Sequence, residues 1–163
     1  MLLDTLHFSF TVSDIEQSIT WYTEVLGLEL VARQRSDNAY IRQLVGMSDA
    51  VLEVAQFRVQ GTSPGLSTHM LELIQYVTPV GGTPPLPTNA TGTAHLGFIT
   101  DDINRDHQRM VGLGVQFVNP PVAITEGVNT GGAACYFRDP DGITLELLMP
   151  SSERLASFGL TTQ

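Results

Sequence analysis

The chain contains no lysine; all eight of its basic residues are arginines. That excludes Schiff-base chemistry and a phosphate loop built around a lysine. Only one cysteine is present, Cys135, so there is no internal disulfide and no cysteine-rich metal site. Charged side chains make up 15% of the 163 residues, too few for a disordered chain, and the 42% of hydrophobic residues suffices for a core. The net charge is −9. With the arginines scattered, that excludes the phosphate neutralisation on which nucleic-acid binding depends. No apolar run approaches the length of a membrane span, about 18 residues. The opening Met1-Leu2-Leu3-Asp4 has neither a basic region nor a long apolar run. The expectation is therefore a cytoplasmic protein with no membrane and no nucleic-acid partner.

What is present is a repeat. Thr5 to Val12 alternates between polar and apolar residues, as a strand with one apolar face does. Ser13-Asp14-Ile15-Glu16 follows as a capping box opening a helix with Ile15, Ile19, Tyr22 and Leu26 at helical spacing, and Gly27 ends it. The same arrangement returns at Ala94 to Thr100, where Asp101-Asp102 opens a helix with Ile103, His107 and Met110, ended by Gly112 and Gly114. His7 and His95, Phe10 and Phe98, Asp14 and Asp102, and Tyr22 and Met110 share one offset of 88 positions. Strand-like runs follow each helix: Leu28 to Ala32, Ala50 to Gln60 and Met70 to Val77, then Val115 to Val118, Ala133 to Arg138 and Ile143 to Met149.

The expected fold class is thus α+β, two tandem βαβββ modules forming a curved, mostly antiparallel eight-stranded sheet around a metal-binding cavity. Module one spans 5–78 and module two 93–150, in a single domain 1–150, with a Pro/Gly/Thr-rich linker at 79–92. Ser36 to Asp49 has no counterpart in the second half and reads as an insertion with a short helix near Tyr40 to Val45. The tail 151–163 reads as a short helix, Ser152 to Phe158, or a frayed end.

Four ionisable residues occupy equivalent places. His7 and His95 open the first strand of each module; Glu72 and Glu146 sit between leucines in the last. His7 precedes Glu72 by 65 residues and His95 precedes Glu146 by 51, and the difference equals the 14 residues of the insertion. Taken singly, a histidine in an apolar strand is an ordinary core residue and such a glutamate an ordinary solvent-facing one. Taken jointly, if the polar faces of two half-sheets point inward, the four side chains converge, and burying them without compensation would be very costly. A divalent cation removes the cost: two imidazoles and two carboxylates suit Zn, Ni, Co, Mn or Fe, one ion per site.

The chain also resembles the vicinal oxygen chelate superfamily, which includes glyoxalase I, methylmalonyl-CoA epimerase, extradiol dioxygenases and antibiotic-resistance proteins. The resemblance runs from Leu6 to Pro150. It is carried by His7 with Val12-Ser13-Asp14, by Trp21-Tyr22 to Leu26-Gly27, by Leu71-Glu72-Leu73 and by Ala94-His95-Leu96-Gly97-Phe98. Asp139-Pro140-Asp141-Gly142 leading into Leu145-Glu146-Leu147 completes it. It implies that His7, Glu72, His95 and Glu146 are metal ligands, and their His/Glu/His/Glu order is similar to that of the nickel- or cobalt-type glyoxalase I. The implied activity is isomerase, epimerase or lyase chemistry beside a carbonyl of a small metabolite. The metal stabilises an enolate while a carboxylate moves the proton. Glu146 serves as ligand and catalytic base; Glu53, in a strand resembling the one that carries a catalytic glutamate in methylmalonyl-CoA epimerase, is a separate candidate. The resemblance also implies a homodimer. An Fe(II)-dependent extradiol-type dioxygenase is the second reading, and a non-catalytic small-molecule-binding or resistance protein the third.

Tyr136 and Arg138, before the Asp-Pro-Asp-Gly turn, are candidate substrate contacts. Arg58, with Arg33 and Arg42, is a candidate for holding an anionic substrate tail. Asn129-Thr130-Gly131-Gly132 reads as a loop entering the strand that carries Tyr136 and Arg138. Asp139 and Asp141 read as turn formers, His69 as a surface residue, His107 as partly buried structure and Cys135 as a small buried apolar residue.

Overall fold

The computed structural model describes residues 5–61, 69–82 and 87–157. The readings placed on Met1–Asp4, on the middle of the linker and on the tail beyond Ser157 lie outside the described residues. The chain divides into two compact units, Met1–Pro84 and Pro85–Gln163. Among the described residues, no helix is long and apolar enough to cross a membrane.

The first unit runs β1 (His7–Thr11), α1 (Ile15–Glu24), β2 (Glu29–Ser36), α2 (Ala39–Val45), β3 (Val51–Arg58) and β4 (Met70–Thr78). Its strands form one sheet in the order β1-β4-β3-β2. Only the β1/β4 pair is parallel, as expected when a helix crosses over between the two strands. Helix α1 starts one residue later than a serine cap would have it. Asp14 is extended, and its Oδ1 accepts from the Glu16 and Gln17 amides at 3.0 and 3.1 Å. A carboxylate both satisfies these amides and faces the positive end of the helix dipole, so it makes the stronger cap. Glu16, expected to close the box, pairs instead with Arg33 of β2. Gly27, at φ +67°, turns the chain into β2.

The face of the sheet next to α1 is the core. Ala55, Phe57, Leu71 and Leu73 are buried there with Ile15, Tyr22 and Val25, and the Tyr22 and Phe57 rings stand 6.0 Å apart. Each such side chain contributes about 1.5–3 kcal/mol through the apolar surface it removes from water. The inserted α2 covers part of the opposite face, packing Ile41 and Val45 against Leu52, Val54, Ile74 and Tyr76.

The second unit runs β5 (His95–Ile99), α3 (Ile103–Gly112), β6 (Gln116–Phe117), β7 (Val122–Ala123), β8 (Ala133–Arg138), β9 (Thr144–Met149) and α4 (Ser152–Ser157). Its sheet has the order β5-β9-β8-β6, with β7 also on β8. Again the β5/β9 pair is parallel and the others antiparallel. The strand expected over Val115 to Val118 is β6, and β7 is an additional short piece along the same partner. Pro120 and Pro121 lie between them and have no N–H to donate to a ladder. The core repeats that of the first unit: Phe137, Leu145 and Leu147 are buried with Ile103 and Met110.

The α+β class and the two tandem βαβββ modules are as expected. Among the described residues, hydrogen bonding forms two sheets, one in each unit, because each βαβββ module closes its own ladder by laying its first strand beside its last.

Candidate functional site

In the first unit, strand register fixes a row of side chains. Ser9 of β1 lies opposite Glu72 of β4, which lies opposite Gln56 of β3. By alternation His7 shares that face. His7 Nε2 is 3.6 Å from Glu72 Oε1. The other carboxylate oxygen is held: Gln56 Nε2 donates to Glu72 Oε2 at 2.9 Å.

In the second unit the corresponding row is Gly97, Glu146 and Tyr136. His95 Nε2 is 3.4 Å from Glu146 Oε2. The His95 ring lies 5.2 Å from that of Tyr136. A Cβ at Gly97 would meet Glu146 Oε2 at 3.3 Å, so the missing side chain is what leaves that carboxylate room. Burial, and then the Glu146 charge, push the Tyr136 phenol up, which keeps it a proton donor at neutral pH.

The four expected ligands thus come as two pairs, one in each unit, and the described residues contain no group of three or more His, Cys, Asp or Glu side chains placed to hold a metal. Both pairs are spaced as donors to a cation are. A charge-assisted hydrogen bond is shorter, about 2.7–2.9 Å. Two donors each about 2.0–2.2 Å from a shared ion, at the about 90–110° angles of octahedral and tetrahedral sites, stand about 2.8–3.6 Å apart. The Glu72 and Glu146 side chains keep only 14% and 19% of their exposure, and the imidazoles keep 33% and 46%, so each pair is sheltered on its carboxylate side and open on the other. Two imidazole nitrogens and two carboxylates fit a borderline divalent ion.

The other candidates fall into two groups. Tyr136 and Arg138 share the face of His95 and Glu146. Arg138 Nη1 donates to the Gly142 carbonyl at 2.9 Å and also to Thr144 Oγ1, which ties it to the turn. Arg58 shares the face of Glu72, where its Nε and Nη2 donate to the two Glu29 carboxylate oxygens in a fork, each at 2.8 Å. Glu53 is not brought to the His7–Glu72 pair of its own unit. Its position alternates with Gln56 and so places it on the α1 face of the first sheet, where Arg35 Nη1 donates to it at 2.8 Å. Asp139 forms the turn, accepting from the Asp141 and Ile143 amides. His69 is exposed, and His107 packs on Phe117 at 4.3 Å between ring centres. Cys135 is buried, and burial followed by the Glu146 charge pushes its thiol up to about 11.

Sequence reasoning missed Gln56 and the role of Gly97. The only signal for Gln56 was a polar residue interrupting an apolar strand; its partner depends on the β3/β4 register, which composition does not reveal.

The comparisons agree with this fold. A model of the Glyoxalase/Bleomycin resistance protein/Dioxygenase superfamily matches residues 5–147. A 2-epi-5-epi-valiolone epimerase from Actinomyces sp. is 31% identical over 147 residues, covering 87% of this chain and 76% of its own. A lactoylglutathione lyase from Arabidopsis thaliana is 25% identical over 88% of this chain, which spans only 43% of that longer protein. Among solved structures, a glyoxalase family protein from Bacillus cereus superposes with a TM-score of 0.77 over 93% of this chain and 96% of its own, at 22% identity. On these matches, the chain belongs to the glyoxalase/bleomycin resistance protein/dioxygenase superfamily.

Proposed function

We propose that the chain is a divalent-metal-dependent isomerase, epimerase or lyase that moves a proton on carbon next to a carbonyl of a small metabolite. His7, Glu72, His95 and Glu146 are its metal ligands. The observation that carries the reading is the repetition of one His–Glu pair at the same register in both units, each at the spacing of two donors to one ion. Epimerisation has the stronger support of the three, because the relative matched at 31% identity and over 76% of its length is named an epimerase.

When bound, the ion supplies a Lewis acid for the carbonyl oxygen. The chain's own residues do the rest. Glu146 removes the proton: the C–H bond breaks, its electron pair is drawn toward the carbonyl, and an O–H bond forms on the carboxylate. A proton taken from solvent on the other face of the same carbon, while Glu146 gives its own proton to water, epimerises it; return of the proton from Glu146 to a neighbouring atom isomerises the substrate. Tyr136, still protonated, stands beside Glu146 as a hydrogen-bond donor to the substrate. Glu53 has no part in this scheme.

The test is elemental analysis of the purified protein beside His7→Ala and His95→Ala, one variant from each unit. A stoichiometric divalent ion in the wild type that is lost from both variants supports the four-ligand reading. Metal retained in either variant, or never bound after reconstitution, overturns it. Solvent-deuterium incorporation into hydroxyketones and α-ketoaldehydes then tests the proton transfer. Oxygen consumption in its place would overturn this reading in favour of an oxygenase.

A further inference from the structure

We infer that Gln56 is a positioning residue for Glu72, and that it makes the two carboxylates unequal as ligands: Glu72 is oriented before an ion arrives and Glu146 is not. This rests on the metal reading above and deepens it.

Glu72 is a poorly exposed carboxylate with two oxygens and two different neighbours. Gln56 Nε2 donates to Oε2 at 2.9 Å, and the remaining oxygen, Oε1, is the one that faces His7 Nε2. A single donor on one oxygen fixes the rotation of the carboxylate plane, so the other oxygen is presented in one direction. Gln56 itself is half-buried at the centre of the sheet, opposite both Ala32 and Glu72, so its side chain is not free to leave.

Glu146 has neither restraint. Its cross-strand neighbours are Gly97, which has no side chain, and Tyr136. Among the described residues, its carboxylate has one polar contact, His95. Ordering the Glu72 carboxylate before the ion arrives lowers the cost of binding it there.

Co²⁺ binding to the metal-free protein tests this, followed by titration calorimetry and by the visible spectrum of the bound ion. Gln56→Met keeps the length of the side chain and removes its donor. It should weaken Co²⁺ binding by roughly 10–100-fold, the usual loss for an outer-shell partner. Gln56→Asn, with its amide on a shorter stem, should recover part of that loss. Gln34→Leu removes an exposed amide from the same face that bonds only to Ser36, and it should bind as wild type. Glu72→Ala should lose more affinity than Glu146→Ala.

If wild type binds no Co²⁺, the metal reading fails. If wild type binds and Gln56→Met binds equally well, only the role of Gln56 fails. A lowered melting temperature of metal-free Gln56→Met with unchanged Co²⁺ affinity would make the bond merely structural and overturn the inference. Equal losses in Glu72→Ala and Glu146→Ala would overturn the inequality. Should Gln56→Met not fold, Gln56→Asn is read by the same two measurements.

Discussion

The two units share a backbone plan and a core, and differ on the polar face. Phe57 and Phe137, Leu71 and Leu145, and Tyr22 and Met110 occupy matching places, and all are buried. The rows beneath the carboxylates do not match: Ser9, Glu72 and Gln56 in one, Gly97, Glu146 and Tyr136 in the other. The first face is also partly covered by α2, an element the second unit lacks. A duplicated module therefore supplies two equivalent carboxylate positions, and the cross-strand neighbour differs: Gln56 donates to Glu72, and Tyr136 stands opposite Glu146. The core is where the two halves must agree; the polar row is where they are free to diverge.

The sharpest way to break this comparison is to make the same change in both rows. Glu146→Gln removes the group that accepts the proton, and it should lower kcat/KM for deuterium exchange by about 10²–10⁴-fold, the usual worth of a general base. Glu72→Gln keeps a carbonyl oxygen that can still accept from Gln56, so it should lose less and show its loss in Co²⁺ affinity. Equal rate losses in the two variants, measured on one substrate with metal in excess, would mean that the rows do the same work.

Changes in the core should show no such asymmetry. Phe57 and Phe137 are both 0% exposed. Truncating either to alanine removes the same transfer free energy and leaves a comparable cavity, so each should cost about 3–5 kcal/mol of unfolding free energy. Denaturant titration followed by both circular dichroism and Trp21 fluorescence reads this. A loss confined to one variant would show that only one unit's core carries the stability.

The module plan was legible because it rests on period and on punctuation. Alternation marked Thr5 to Val12, and the observed β1 is His7–Thr11; helical spacing marked Tyr40 to Val45, and the observed α2 is Ala39–Val45. The equivalent placing of His7 and His95 and of Glu72 and Glu146 was legible for the same reason. What depends on pairing was not. Glu53 could be placed in a strand, but its face follows from the β3/β4 register, and that register puts it with Arg35 on the α1 side. The additional β7 and the separation into two sheets likewise depend on which edge meets which.

The helix caps give the smallest test, and they divide along the same line. Asp14 and Asp102 stand at equivalent positions, both extended, both ahead of a ten-residue helix. Asp14 accepts two amides, from Glu16 and Gln17. Asp102 accepts one, from Arg105 at 2.9 Å, while its own amide donates to Thr100 Oγ1 at 3.1 Å. Thr100 is buried and also donates to Asp106, so this helix start keeps a second anchor when the Asp102 carboxylate is removed. Cap removal costs about 0.5–2 kcal/mol. Asp14→Ala should fall in the upper half of that range and Asp102→Ala in the lower half, as read from denaturant midpoints at neutral pH. The reverse order would mean that the number of amides a cap accepts matters less than the network behind it, and that the second unit's helix start, not the first's, is the one that depends on its carboxylate.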